Sequence, residues 1–589
     1  MPRFVQHVPD IDDVYASDFV LRRALDRSLG EVGHKAAAPM LESLSEDVAH
    51  QLREAHRQAE SHPPELVAYD AWGARVDRIE TPWGWERQRE AAAQHGVVSL
   101  PYETEARETW GAGARVVQLA LLHLYGPESA TFSCPVAMSD GAALLLSEPD
   151  VDADLRARWL PRLLSRDPAT AAVSGQWMTE TEGGSDVGRA STSARREGET
   201  WRLYGEKWFC SAADSAMSVA LARPEGAPAG TKGLVCWVIP RYAVDSPLAG
   251  SATGPRHTAP GLTLHRLKDK LGTRALPSAE VGLDGAAAWP LGDPHTSGIT
   301  RMMRLVQVTR LHNSAAAAGN MRRGLAYARA FAGSREAFGA PLWQQPLHRE
   351  TLAWLAVDAE AAFHLTLMCF DLLGRVEAAG GHRAAGEHAD APDEVRLLRF
   401  AATLAKLSTG KLAVASASEY VEAFGGNGYI EDTGMPRLLR DSQVLPIWEG
   451  TTNVLSLDVL RALHRDAVLE PYLARVDAAL DTAEESGDPW LGPVAAQARP
   501  IRDEVAGDAR AALQAPAGQA QAGARELALR MAHLLAATAL IEQAQHDTAA
   551  GDARAALVAS AWVRRRLDHD PCTGEGHRAF AHIVDGERL

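Results

Sequence analysis

Residues 177–187 read Trp177-Met178-Thr179-Glu180-Thr181-Glu182-Gly183-Gly184-Ser185-Asp186-Val187, and they stand where the texture of the chain changes. Before them, apolar residues recur at helical spacing, as in Val116, Val117, Leu119, Leu121 and Leu122 and again in Leu155, Trp159, Leu160, Leu163 and Leu164. After them come short runs at 200–203, 233–239 and 279–283, rich in β-branched and aromatic residues and separated by Gly, Pro and charged turns. The helical period returns after Thr300 in 301–332, 346–378 and 393–424, and the last of these runs into Gly425–Gly426, a helix stop. The pattern predicts a mainly α protein with a central β domain. Its expected divisions are a helical domain over 1–168, a β domain over 169–292, a four-helix bundle over 293–468 and an added helical domain over 469–589.

Composition narrows the function classes. The 589 residues are 46% hydrophobic and 23% charged, which excludes wholesale disorder. No apolar run reaches the roughly 18 residues of a membrane-spanning helix. The N-terminus carries Asp10, Asp12 and Asp13 where a secretory signal needs its apolar stretch. Five scattered cysteines form no CxxC pair, and the 21 histidines form no HExxH, so neither a disulfide framework nor a metal site is expected. A formal charge of −16 repels nucleic acid and anionic membrane. The expected class is a cytoplasmic enzyme without a membrane partner. The stretch 380–392 reads as a polar linker between helices, and 506–525, rich in Ala, Gln and Gly, as a loose connection or a surface helix.

Further segments carry chemistry. Gly183-Gly184-Ser185-Asp186 lets a turn bring N–H groups and a hydroxyl to a ligand oxygen. Gly205-Glu206-Lys207-Trp208-Phe209-Cys210-Ser211 has the look of a strand whose aromatic residues could lie against a planar ring, and equally of a core strand. Lys268-Asp269-Lys270-Leu271-Gly272-Thr273-Arg274 is a basic loop. Arg335-Glu336-Ala337-Phe338-Gly339 opens a loop before a helix, Phe424-Gly425-Gly426-Asn427-Gly428-Tyr429 closes one, and Ile447-Trp448-Glu449-Gly450-Thr451-Thr452-Asn453 precedes another.

In this order the segments resemble the acyl-CoA dehydrogenase superfamily of flavoproteins. PPELVAYDAWGARVD, RLKDKLGTRA, IWEGTTNVLSLDVLRAL and the closing VDGERL resemble its AidB-like branch, which has an added C-terminal helical domain. The resemblance implies a β-barrel as the middle domain, FAD as cofactor, an acyl thioester as substrate, an electron-transfer flavoprotein or other acceptor, and a homotetramer. By position it implies that Met178 and Thr179 border the flavin, with Thr179 on its N1/O2 edge, and that Gly184 and Ser185 meet the pyrophosphate. Phe209 takes the place of a Trp near the ring, and Ser211 falls where most of the family has Thr beside flavin N5. Arg335 and Phe338 match residues that reach a neighbouring subunit's FAD. Gln345, across a loop one residue shorter than usual, matches a glutamine on the adenine side. Gly425 and Gly426 match the backbone over the adenosine half, and Thr451 and Asn453 the residues after the catalytic motif.

The same resemblance makes Glu449 the base that takes a proton α to the thioester carbonyl as a hydride leaves the β carbon. A carboxylate in water is far too weak for this. Donors on the carbonyl oxygen and the exclusion of water make the transfer feasible. Other branches put the base immediately before an Arg on another helix; here that pair reads Thr309-Arg310, with Arg310 left as a substrate-site residue. Trp448 stands where Tyr is common, and a larger ring there would narrow the acyl channel. The alternative reading is an AidB-like stress-response flavoprotein that binds DNA and keeps residual dehydrogenase activity. Residues 471–589 hold 12 Arg and no Lys against 17 acidic residues, a net of −5, so charge disfavours DNA.

Overall fold

The computed structural model describes residues 6–242, 258–380, 391–568 and 582–583. The closing VDGERL, Cys572 and most of the 380–392 linker lie outside them. The helices α1 (Phe19–Asp47), α2 (Arg53–Ser61), α3 (Trp83–Gln94), α4 (Thr104–Trp110), α5 (Ala114–Tyr125), α6 (Ser133–Leu146) and α7 (Ala153–Leu163) precede the main sheet. Between α2 and α3 the helical domain expected over 1–168 contains an antiparallel hairpin, β1 (Glu65–Tyr69) and β2 (Arg75–Glu80). Its cause is local. Leu66, Val67 and Tyr69 favour a strand, the Asp70 carboxylate accepts from the Trp72 and Ala74 amides at 2.9 and 2.8 Å, and Gly73 takes φ 86°.

The main sheet comprises β3 (Ser174–Trp177), β4 (Ser193–Glu197), β5 (Thr200–Ser211), β6 (Met217–Pro224), β7 (Val235–Pro240), β8 (Leu262–Leu267) and β9 (Ser278–Pro290). Pairing runs β6–β4–β5–β9–β7 and returns from β7 to β6, which closes a barrel; β3 and β8 add to β6 and β9. Strands β6 and β7 are buried along both faces, so they read as continuous apolar runs rather than alternating ones. Met217, Val219 and Leu221 join Leu145, Trp159 and Leu305 in one core, while Ala220, Ala222 and Trp237 face Leu203, Cys210, Leu264 and Val281 in the other.

After the sheet come α8 (Ile299–Ser334), α9 (Pro346–Ala378), α10 (Asp393–Ala423), α11 (Met435–Ser442), α12 (Thr452–Arg465), α13 (Leu469–Glu485), α14 (Leu491–Gln514), α15 (Ala517–Ala549) and α16 (Arg554–Arg566). Helix α9 is apolar enough over eighteen residues to cross a membrane, yet 94% of that window is buried inside the protein. It packs on α5, α10, α15 and α16. The Ala/Gln/Gly-rich stretch is helical up to a break at Ala515–Pro516, as expected where Pro cannot continue a helix. The chain divides into two compact units: Met1–Ala49, Glu108–Pro127 and Asn313–Leu589 form the first, and His50–Arg107 with Glu128–His312 the second.

Candidate active site

In the second unit, the segment after β3 is tied to β5. The Trp208 amide donates to the Thr179 carbonyl at 2.9 Å. Behind it, Lys207 and Glu180 form a buried ion pair at 2.6 Å. Lys207 Nζ also donates to the Leu221 carbonyl at 2.7 Å, and Glu180 accepts from the Ser191 amide and from both the amide and hydroxyl of Thr192. Burial alone would raise the Glu180 carboxyl, but the Lys207 charge and these hydrogen bonds outweigh it and hold the group below its ordinary value. The pair clamps the Met178–Thr179 backbone to the strand that carries Phe209 and Ser211.

That strand contains a bulge. Lys207 pairs with Val281 and Cys210 with Ala279, so β5 spends one more residue than β9 between those positions. Lys207 and Cys210 are both buried, and two residues stand between them where strict alternation allows one. The extra residue turns Phe209 outward, 58% exposed, with Ser211 two places on. The core-strand reading of this segment therefore holds for Lys207 and Cys210 and fails for Phe209. Met178 and Thr179 are partly buried; Gly184 and Ser185 are exposed on the turn. Gly183 is the tighter of the two glycines, since a Cβ there would meet the Asp186 carbonyl at 3.2 Å. Arg310, on α8, is buried at 8% exposure, and Thr309 spends its hydroxyl on the Leu305 and Val306 carbonyls of its own helix.

In the first unit, Glu449 lies on the turn between α11 and α12 at φ 57°, followed by Gly450 at φ 105°. A left-handed Glu is uncommon, and such strain persists only where the surroundings enforce it. The enforcing group is Lys406. It is 1% exposed on α10 and donates to the Gly450 carbonyl. At φ 105° any side chain on Gly450 would be strained, and its Cβ would press the Leu455 side chain at 2.8 Å. Thr451 is the N-cap residue of α12, and the exposed Asn453 accepts from Arg525 at 3.4 Å. The Trp448 indole is partly buried, with its Nε1 enclosed and without a hydrogen-bond partner.

Strands β10 (Glu336–Ala337) and β11 (Ala340–Pro341) bring Arg335, Phe338 and Gln345 into one loop. Phe338 and Gly339 form its two-residue tip, at φ 53° and 83°, the geometry of a type I′ turn. Phe338 is fully exposed, Arg335 reaches Gln6 at 3.5 Å, and Gln345 donates back to the Ala337 carbonyl at 3.0 Å. After α10, Gly425 takes φ 57°. Gly426 has open space around it, whereas a Cβ at Gly428 would lie 1.9 Å from the Val421 carbonyl. Gly428 is thus a residue the fold requires and the motif reading passed over. The buried lysines Lys207 and Lys406 were also passed over; the available signal was a lone Lys within otherwise strand-like or apolar helical sequence.

Comparison with known proteins fits this architecture. Residues 6–168 match the adaptive response protein AidB N-terminal domain, 175–286 the acyl-CoA dehydrogenase middle domain and 296–464 the acyl-CoA dehydrogenase C-terminal domain. The chain is 38% identical to acyl-CoA dehydrogenase family member 11 of Caenorhabditis elegans over 80% of its own length and 74% of that protein's. It is 33% identical to the putative acyl-CoA dehydrogenase AidB of Escherichia coli strain K12, covering 79% of this chain and 80% of that one. The crystal structure of C. elegans ACDH-11 in complex with C11-CoA superposes with a TM-score of 0.88 at 34% identity, across 96% of this chain and 93% of that chain. This protein therefore belongs to the acyl-CoA dehydrogenase superfamily, in its AidB-like branch.

Proposed function

We propose that the protein is an FAD-dependent oxidoreductase that removes the α proton of an acyl thioester with Glu449. The observation that carries this reading is the Glu449 turn. A carboxylate is held in a left-handed conformation beside a buried ammonium and a glycine at positive φ, and a solvated loop residue would need none of this. The C. elegans relative crystallised with C11-CoA supports the substrate class. The Phe209–Ser211 surface fits FAD by its chemistry. Phe209, left exposed by the bulge, shares its strand with Ser211, and the Thr179 backbone is bonded to the neighbouring Trp208 amide, a set that suits a flat ring with a polar edge. When bound, FAD accepts the hydride from the β carbon. The chain's own part is to orient the thioester, polarise its carbonyl with a backbone N–H at the base, and receive the α proton on the Glu449 carboxylate.

A homotetramer follows from the same reading. Phe338, fully exposed at positive φ on a hairpin tip, is costly in a monomer and is accounted for if the tip enters a neighbouring subunit. The DNA-binding alternative is disfavoured by pairing as well as by net charge. Arg475, Arg502, Arg510 and Arg530, and Arg499 beside them, each form ion pairs with Asp or Glu, while Arg525 donates to Asn453. The test is flavin content: the purified protein should be yellow with one FAD per chain. A protein that gains no flavin absorbance on incubation with FAD overturns the reading, and salt-sensitive micromolar binding of duplex DNA at about 0.15 M salt restores the alternative.

A further inference from the structure

We propose that Trp343 is a positioning residue that fixes the Phe338 hairpin to the two helices flanking it, and so completes the FAD site of a neighbouring subunit. The proposal rests on the FAD and homotetramer readings above. It starts from how the loop 335–345 is held within the first unit. At its start the Arg335 amide donates to the Phe331 carbonyl of α8 at 2.8 Å, and at its end the Arg349 amide of α9 donates to the Gln345 carbonyl at 3.0 Å. Between these points the Leu342 amide donates to the Arg335 carbonyl at 2.8 Å, the Gln345 amide to the Leu342 carbonyl at 3.0 Å and the Gln345 side chain to the Ala337 carbonyl at 3.0 Å. These three bonds close the hairpin upon itself. The contact of Arg335 with Gln6, at 3.5 Å, is at the limit of a hydrogen bond.

Trp343 supplies the lateral hold. It is partly buried on the short turn Leu342–Gln344 that follows β11. Two guanidiniums lie over its indole: Arg329 of α8, with its central carbon 5.6 Å from the ring centroid, and Arg349 of α9, at 5.4 Å. Both distances are inside the roughly 6 Å over which an aromatic face attracts a cation, and Trp gives the strongest attraction of this kind. The N–H donors of a guanidinium lie in its own plane, so it can rest on an indole and keep other bonds. One ring thus ties the hairpin to the helix before it and the helix after it.

The consequence falls on the tip. Phe338 is fully exposed, so contacts of its own side chain do not fix where it points. A tip that swings must be ordered when FAD binds between the subunits, and that cost weakens binding; a tip already aimed avoids it. The indole and its guanidiniums belong to one subunit and the FAD they serve to another, so the effect of Trp343 acts in trans.

The experiment measures the FAD dissociation constant, by diluting the FAD-loaded protein and following the fluorescence of released flavin, for the wild type, Trp343→Leu, Trp343→Phe and the Arg329→Met/Arg349→Met double variant. Leucine keeps an apolar side chain without a π face, phenylalanine keeps the face, and the double variant keeps the ring without the cations. The expected result is FAD held about tenfold more weakly by Trp343→Leu and by the double variant, with most of the affinity recovered in Trp343→Phe. An unchanged constant in Trp343→Leu overturns the proposal. So does an unchanged constant in the double variant, because the indole would then act without its clamp; if Trp343→Leu does not fold, the double variant alone decides. A second arm co-expresses Trp343→Leu and Glu449→Gln under two tags, isolates particles carrying both, and dilutes them until the weakly held FAD is lost. In trans, the retained flavin sits in Trp343→Leu subunits, which keep Glu449, and an acyl thioester bleaches it. Retained flavin that does not bleach places the effect in cis and overturns the proposal. A wild type that binds no FAD, or binds it fully as a monomer, overturns the reading on which the proposal rests, and the proposal with it.

Discussion

Phe209 and Ser211 stand on a strand held by the β5–β9 ladder, and of the two irregularities in that ladder the one between Lys207 and Cys210 exposes Phe209. Glu449 stands on a turn with no ladder, where a positive φ, a glycine and one buried ammonium do the same work. The first region is over-determined: many backbone bonds share the load, and the Glu180–Lys207 pair adds to them. The second depends on a few contacts. Damage in the first region should appear as lost stability, and damage in the second as lost rate in a folded protein.

The largest effect expected is on stability, from Lys207→Met. It leaves Glu180 buried beside an apolar side chain, and breaking such a pair destabilises by about 3–5 kcal/mol. Urea unfolding followed by tryptophan fluorescence measures it, and a loss below about 1 kcal/mol breaks the comparison. The pair also carries a pH signature. Because Glu180 is held below its ordinary 4.5, it contributes stability above that pH, and the contribution disappears as pH falls through the lowered folded value. Glu180→Gln should therefore lose less stability than the wild type between pH 5 and pH 3, when both are followed by the same urea titration.

Next in size is Lys406→Met. Losing a charge-assisted bond to the Gly450 carbonyl removes about 1.5–3 kcal/mol of support from the Glu449 turn. Flavin reduction by an acyl thioester should slow by about ten- to a hundredfold while the protein stays folded and flavin-bound. An unfolded variant, or one with an unchanged rate, would show that the turn is not held as described. The smallest effect is that of Trp448→Tyr. If the indole caps the acyl channel, the preference between long and short thioesters should move by about tenfold. An unchanged ratio of rate constants removes the capping idea and leaves Trp448 as packing.

The order of helices, strands and helices was legible because periodicity is a property of neighbouring residues: β7 is apolar on consecutive positions, and α9 is apolar almost throughout. The motif around Glu449 was legible as composition. What escaped depends on register and space. Nothing in Lys207-Trp208-Phe209-Cys210 states that β9 will pair with a one-residue offset, so whether Phe209 faced core or solvent could not be read from the strand alone. The clearance at Gly428 depends on the Val421 carbonyl in the last turn of α10, and the neutralisation of Arg499 and Arg502 depends on Asp477, Asp481 and Glu484 on another helix. Hairpin β1–β2 was missed because a few residues of strand lie between long helical patterns that dominate the reading.

The central claim is that Glu449 is the base. Its most direct test is anaerobic single-turnover mixing of FAD-loaded protein with a series of saturated acyl-CoA thioesters, with the flavin absorbance followed for the wild type and for Glu449→Gln. The amide keeps the shape of the side chain and loses its basicity. The account expects the wild type to bleach with at least one thioester, and Glu449→Gln, with FAD still bound, to bleach about 10²–10⁴-fold more slowly. A Glu449→Gln protein that bleaches at the wild-type rate with the same thioester would contradict it.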